Sequence, residues 1–335
     1  MDDQGSAARP RGLRALFSRW EGILLLIFIA VIAFNSLASP YFLDPVNLLG
    51  TTFNFMEKAL IALPMTFGII LGDIDISVAG ILALASLVMG ALSSAGAGTG
   101  ILVAAGLGTG LAAGFLNGML ATRFAIPMIA VTIGAISLFR GIAYAALGDK
   151  AFTKYPESFA YFGQGTIPGT RVPFELVLFV AFAVMFGLLL HRTTFGRKVF
   201  AIGNNATASR FSGVRVGRIR LIVSCLTGTM SGLAAILLTS RIGSTRPNIA
   251  SGWEMEAITT VVLGGVAITG GKGNIFGVIL GIFLLGFLRF GMGLINVPGN
   301  VQNIFSGVLL ILAIVLPSWV ASAQERRRLK HERGA

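Results

Sequence analysis

One cysteine, Cys225, and two histidines, His191 and His331, are all that 335 residues hold of either type. A lone cysteine excludes a scaffold built on internal disulfides. Two histidines far apart in the chain are too few for a His-based metal centre, and no metal site is expected. Charge is scarce too, at 12% of residues, against about 25% in an ordinary soluble domain. Acidic residues are the scarcer sign, 14 against 26 Lys and Arg, which leaves a net charge of +12. Catalytic signatures are missing: there is no G-x-S-x-G elbow and no H-E-x-x-H. The stretch Gly270-Gly271-Lys272-Gly273 fails as a phosphate loop, because Val266 stands at the first glycine position and Gly273 where Ser or Thr is needed. The chain is therefore not expected to bind ATP itself. Gly108, Gly110 and Ala113 match G-x-G-x-x-A, but they lie inside an apolar run with no preceding strand.

Apolar residues dominate instead. Hydrophobic residues make up 55% of the chain, and the mean hydropathy is +0.83. That composition excludes disorder and points to a polytopic membrane protein. A helix needs roughly 20 apolar residues to cross about 30 Å of hydrocarbon. Ten candidate spans follow, near 22–38, 58–72, 75–93, 101–122, 127–147, 174–190, 219–240, 255–270, 275–295 and 302–320. Several are short and interrupted. The runs are apolar on every face, whereas a β-barrel would alternate. The expected fold is thus an all-α bundle of about ten transmembrane helices with broken or re-entrant segments. Residues 1–21 form an N-terminal tail, 22–320 the membrane domain and 321–335 a basic C-terminal tail.

With a cytoplasmic N-terminus, most of the 26 basic residues fall in cytoplasmic segments, which supports both termini inside. Scattered over short loops, these charges fit a topology signal better than a nucleic-acid surface. The basic N-terminus, first apolar run and small-x-small triplet Ser36-Leu37-Ala38 resemble a signal peptide. Cleavage would remove the first span and spoil the charge bias, so that span is expected to remain as an anchor.

No soluble domain interrupts the spans. The longest polar connections are about 148–173 and 191–218. The second is basic, bounded by Gly196 and Gly213, with a turn expected after Gly203 at Asn204 and Asn205 and a short helix from Ala206 to Phe211. Glycines recur every four residues at Gly106, Gly110, Gly114 and Gly118, at Gly228 and Gly232, and at Gly273, Gly277 and Gly281. Such ridges let helix backbones approach closely in lipid. Two segments, Leu71–Leu84 and Leu263–Gly281, each run apolar, then Gly-rich, then apolar. They suggest related halves and an inverted repeat, with paired broken spans near a transport path.

Ionisable residues in or near spans mark interior or wet positions, because lipid penalises them. Asp73 and Asp75 occupy the break between the second and third spans, with Ser77 just beyond. Arg140 lies in the fifth span, Glu254 and Glu256 begin the eighth, and Arg289 lies in the ninth. Helix capping is an equal reading for Asp75, and the arginines also fit snorkelling. Asp73, Asp75, Ser77, Arg140 and Glu254 are the candidates for a translocation path.

Four segments carry a family resemblance. GDIDISVAGILAL, from Gly72, resembles the G-G-I-D-L-S-V-G segment of the ribose-type permeases of bacterial ABC sugar importers. VTIGAISLFRGIAY, Val131–Tyr144, resembles their T-L-G-T-M-S-x-x-R-G-x-A. TTFGRKVFAIGNNATASRFSGVRV, Thr193–Val216, is similar to their T-x-F-G-R-x-x-x-A-I-G-x-N-x-x-A-A-R-x-S-G-I. VVLGGVAITGGKGNIFGVILG, from Val261, resembles their V-x-L-G-G-x-S-I-x-G-G-x-G-x-x-x-G. The likeness runs in order from about residue 40 to 318. Within the family, three stretches look most like rhamnose permeases, with ribose and autoinducer-2 permeases close behind. Asp73 departs from the pattern, standing where members have Gly or, in some, an acidic residue.

The resemblance implies a non-catalytic inner-membrane subunit that dimerises or pairs with a second permease. Two ATP-binding subunits would dock on its cytoplasmic face, and a periplasmic sugar-binding protein would deliver a monosaccharide. The chain would carry no cofactor, ATP being held by the partner. Gly203, Asn204, Ala208, Arg210, Ser212 and Gly213 are the expected ATPase contacts. An ion-coupled sugar transporter is the main alternative, and the sparse intramembrane acids argue against it. A passive channel would give the 191–218 loop no role, and a membrane enzyme would lack a nucleophile or cofactor motif.

Overall fold

The computed structural model describes residues 20–309 together with 311, 312 and 315. Helices account for most of it. Among the described residues no strand is found beyond two isolated bridges, Phe152 with Thr245 and Thr166 with Pro173. The order is α1 (Trp20–Ala38), α2 (Pro45–Thr51), a 3-10 turn (Thr52–Asn54), α3 (Met56–Leu71), α4 (Val78–Ser94), α5 (Thr99–Arg123), α6 (Met128–Leu147), α7 (Tyr161–Gln164), α8 (Phe174–Arg192), α9 (Thr194–Asn204), α10 (Ala206–Phe211), α11 (Val216–Ile242), α12 (Trp253–Leu263) and α13 (Ile275–Leu294). Residues 299–309 are helical as well.

The expected all-helical membrane bundle is what the chain forms. Six helices, α1, α5, α6, α8, α11 and α13, are long and apolar enough to cross a membrane. A bent pair, Pro45–Asn54 with Met56–Leu71, kinked by 58° at Phe55, has the composition of a seventh span or a re-entrant loop. The expected span at 75–93 is the shorter apolar helix α4. The span expected at 255–270 is different in kind. Helix α12 has 11 residues, about 16 Å at 1.5 Å per residue, and it gives way to glycine turns before α13. The span at 302–320 is described through residue 309 and at 311, 312 and 315, while the two terminal tails lie almost wholly outside the described residues.

Helix α3 is the hub. Every residue from Met56 to Leu71 except Lys58 is buried, the expected state of a helix apolar all round. Helices α8, α9, α11, α12 and α13 pack on it. The outer helices expose large apolar side chains, such as Leu26 and Ile29 on α1, Ile133 and Leu138 on α6, and Val184 and Leu188 on α8. An unsheathed apolar perimeter of this kind suits a lipid solvent.

The glycine ridges pack as their spacing implied. A Cβ added at Gly110 would strike the Gly228 carbonyl, and one at Gly228 the Gly110 carbonyl. Gly114 meets Ser224 O, and Gly232 meets Gly106 O. The backbones of α5 and α11 therefore touch directly, and Ser224 Oγ donates to Gly114 O across the seam at 2.8 Å. The third ridge seats α13 against α12, with Gly277 on Gly264 and Gly281 on Thr260 O.

The two glycine-rich breaks meet in space. Gly271 N donates to Ile70 O at 2.8 Å, so the α12–α13 break lies against the α3–α4 break.

Candidate functional site

The basic loop beside these breaks is a built structure. Thr193 caps α9, its Oγ1 accepting from Gly196 N at 3.3 Å and donating to Leu189 O at 2.6 Å. Val199 and Ile202 turn inward, while Arg197 and Lys198 stay exposed. Asn205 ends α9 and caps α10, accepting from Ala208 N at 2.9 Å. Helix α10 spans Ala206–Phe211, as the sequence led us to expect. Gly213, at φ +81°, reverses the chain into α11, a conformation that a Cβ would disfavour.

The expected coupling residues divide into two groups. Gly203 lies against Ile70 O and Gly271 N so closely that no side chain fits there. Asn204 Nδ2 donates to Phe200 O at 2.9 Å and to Gly271 O at 3.4 Å. These two join the loop to both breaks of its own chain. Ala208, Arg210, Ser212 and Gly213 are exposed and free to meet a partner. Beside them Phe211 is 90% exposed. The sequence reading passed over Phe211; the signal was an aromatic residue ending a short polar helix. Arg192, Arg215 and Arg218 are also exposed here, so the surface combines an aromatic knob with surrounding cations.

The path candidates separate between two levels. Asp73, Asp75 and Ser77 lie in the 72–77 connector at the loop end. Asp73 pairs with Arg220 of α11, Oδ2 to Nε at 2.9 Å. Burial nevertheless outweighs Arg220 and pushes the Asp73 carboxyl up to about 6. Asp75 Oδ1 accepts from Ser77 N at 2.8 Å and Ser77 Oγ at 2.6 Å, an Asx turn leading into α4. Asn117 Nδ2 donates to Ser77 Oγ at 2.8 Å, tying α5 to the connector. Asp75 and Ser77 thus serve a buried polar joint.

Arg140 and Glu254 lie away from that end. Arg140 Nη1 donates to Pro247 O (3.1 Å), Ile249 O (3.2 Å) and Ser251 Oγ (2.9 Å). It thereby pins the segment leading into α12. Glu254 stands in the first turn of α12 with Oε2 buried and unpartnered. Two ion-paired groups missed as candidates lie on the same side of the bundle. Arg241 Nε meets Glu57 Oε1 at 2.6 Å, and Glu57 is wholly buried. Glu256 takes Lys58 at 2.9 Å and Arg289 at 3.2 Å. Glu256 and Arg289 had stood out as charges in spans; Lys58, 198 positions from Glu256, offered no pairing signal.

Comparison with known proteins agrees with this architecture. Residues 47–314 match the family model described as a branched-chain amino acid transport system / permease component. The ribose import permease of Bacillus subtilis (strain 168) is 34% identical over 88% of this chain and 91% of its own length. An autoinducer 2 import system permease of Yersinia enterocolitica is 36% identical, covering 88% of this chain and 91% of its own. The L-arabinose ABC transporter permease of Azospirillum brasilense is 34% identical over 96% of this chain and 94% of its own. No solved structure matches the chain. The chain belongs to this family of transport-system permease components and, within it, is similar to the ribose-type permeases of ABC sugar importers.

Proposed function

We propose that this chain is the membrane subunit of an ATP-driven importer that brings a monosaccharide across the bacterial inner membrane. One observation carries the mechanism: an exposed short helix, α10, on a loop that Gly203 and Asn204 fasten to both helix breaks. A helix seated in a partner's groove transmits force. Here the force would reach α3 at Ile70 and the 264–274 turn at Gly271 directly. Two ATP-binding subunits would grip α10 through Phe211 and the cations around it. Their ATP-bound pair would favour one conformation of the permease over the other. ATP would remain with the partner, and the permease would supply no catalysis. A periplasmic binding protein would deliver the sugar to the opposite end, and a second permease, identical or related, would complete the membrane unit.

The charge distribution orients the chain. Arg123, Arg197, Lys198, Arg210, Arg215, Arg218 and Lys272 belong to the loop end, so that end would face the cytoplasm with both termini. The named relatives carry ribose, autoinducer 2 and L-arabinose in their titles. Rhamnose, favoured by residue likeness, is not among them and gains no support from them. A monosaccharide of this range is the proposed cargo.

The test is Ala208→Glu on the exposed helix. Co-purification with the ATP-binding subunit and ATP-driven uptake should both fall while the permease still folds. Unchanged coupling would overturn the docking assignment. Uptake in energised vesicles without ATP would replace this reading with ion-coupled transport. Competition among labelled ribose, arabinose and rhamnose would name the sugar.

A further inference from the structure

Three charged residues from three helices meet where α12 begins. Glu256 accepts from Lys58 Nζ at 2.9 Å on both carboxylate oxygens. Arg289 Nη1 approaches the same carboxylate at 3.2 Å. Arg289 Nη2 reaches on to Ser306 Oγ at 2.9 Å and Asn303 Oδ1 at 3.4 Å in the 299–309 helix.

The depth of this triad follows from packing. Gly277 rests on Gly264, and Gly281 on Thr260 O, so α12 runs antiparallel to α13. Continuing that register sets Glu256 beside Leu285, near the middle of the 20-residue α13. The triad therefore stands about 15 Å from either end of a spanning helix. An ion-paired cluster at that depth is costly unless it lines a path or a cavity.

Cavities flank it on both sides. One of about 320 Å³ is lined by Asn54, Phe55, Thr260 and Gln302, and one of about 490 Å³ by Ser251, Trp253, Thr259 and Asn303. Lys58, Glu256 and Arg289 line both. They are the shared wall, made of long flexible side chains. Mostly apolar cavities with a few convergent polar groups, in this size range, suit a small organic solute.

We propose that Lys58, Glu256 and Arg289 form a binding point for the hydroxyls of a neutral monosaccharide within this chain, a reading that rests on the importer function above. A carboxylate accepts two neighbouring hydroxyl donors, and guanidinium and ammonium groups donate to hydroxyl oxygens. The double pairing of Glu256 matters. One cation can turn to the solute while the other still neutralises the carboxylate, so no bare charge is left in a dry site. Arg289 Nε is already buried without a partner, an unused donor at the wall. The N-terminal end of α12 adds its positive dipole end at the same depth. Trp253, with Lys58 Nζ 5.0 Å from its ring centre, contributes an apolar face for the sugar's C–H surface.

The experiment uses the full chain in lipid nanodiscs with Cys225→Ser and a reporter, Met255→Cys, on the wall of the larger cavity. Labelling by a hydrophilic maleimide is timed without and with 100 mM ribose, L-arabinose or L-rhamnose. At least one sugar should slow labelling threefold or more, and Glu256→Gln and Arg289→Lys should each abolish that protection in chains that elute as folded protein. Absence of protection by all three sugars overturns the proposal, as does equal protection in both variants. Protection only by added phosphatidylglycerol overturns it in favour of a lipid niche. ATP-driven uptake by the same reporter chain, assembled with its partners, separates the two readings. Uptake without protection sinks the subsite alone, whereas protection without ATP-driven uptake keeps the subsite and sinks the ATP-driven function.

Discussion

Arg220 Nε lies 2.9 Å from Asp73 Oδ2 and so ties α11 to the connector between α3 and α4. That pair stands beside the joint where Ile70 O receives Gly271 N. Motion of the docking loop would therefore reach α11 and the connector together. The pair gives the Asp73 side chain a role.

The pair makes a pH prediction. The folded-state pKa of Asp73 is raised from 3.8 to about 6 by burial. Its protonated form is thus favoured by folding, so this residue's contribution to stability grows as pH falls through 6 toward 4. It is lost as pH rises through that window, with a ceiling on the order of 3 kcal/mol. Melting temperatures from pH 7.5 to 4.5 should show this gain in the wild type and a smaller one in Asp73→Asn. Parallel profiles for the two proteins would remove Asp73 as the titrating group.

The α5–α11 seam admits no added methyl group. Gly228→Val would drive its side chain into Gly110 O and the Gly114 backbone. The loss should be 1–3 kcal/mol or more, of the order known for overpacking. A thermal-shift assay in detergent reads it directly. Gly108→Val is the control, since a Cβ there meets nothing.

Phe211 tests the outer surface of the docking loop. Being 90% exposed, it contributes little to the fold, and Phe211→Asp should leave the melting temperature unchanged. Aromatic anchors at interfaces are worth about 2 kcal/mol or more. Binding of the ATP-binding subunit should therefore weaken by roughly 30-fold. Affinity measured by surface immobilisation of the permease would give the figure.

Arg241 is a structural clamp. Removing it leaves Glu57 wholly buried near a second buried acidic residue, Glu175, without its ion-pair partner. Breaking one side of a buried pair costs about 3–5 kcal/mol. Arg241→Ala should lower yield and melting temperature. Glu57→Gln combined with Arg241→Met should recover much of the loss, because neither partner then carries an unpaired charge. Chemical denaturation of the three proteins, compared with the wild type, decides the point.

Much of the architecture was legible because membrane helices announce themselves by composition. The run Phe174–Arg192 is apolar on every face and needs no context to be a span. Glycine spacing at Gly110 and Gly114 named the seam, since only small residues let backbones touch. The α10 boundaries were legible for a local reason too: Asn205 caps the helix and Gly213 stops it. The half-length of α12 was less so, since Val261 through Ile268 reads as a continuation of an apolar run. The glycine turns after Leu263 end the helix, and their placement depends on packing against Ile70 and Gly277.

Sequence alone determined the class of this protein: a helical membrane protein with one basic loop, since hydropathy, charge bias and cap residues act locally. Tertiary structure alone decided which side chains share a site. It turned Gly203 inward to a joint with Ile70, set Arg140 as a clamp on the 247–251 segment, and brought Lys58 to Glu256 and Arg289 at mid-depth. Those pairings join residues up to 198 positions apart, as Lys58 and Glu256 are. No local propensity encodes such a meeting; it arises only when α3, α12 and α13 pack around one carboxylate.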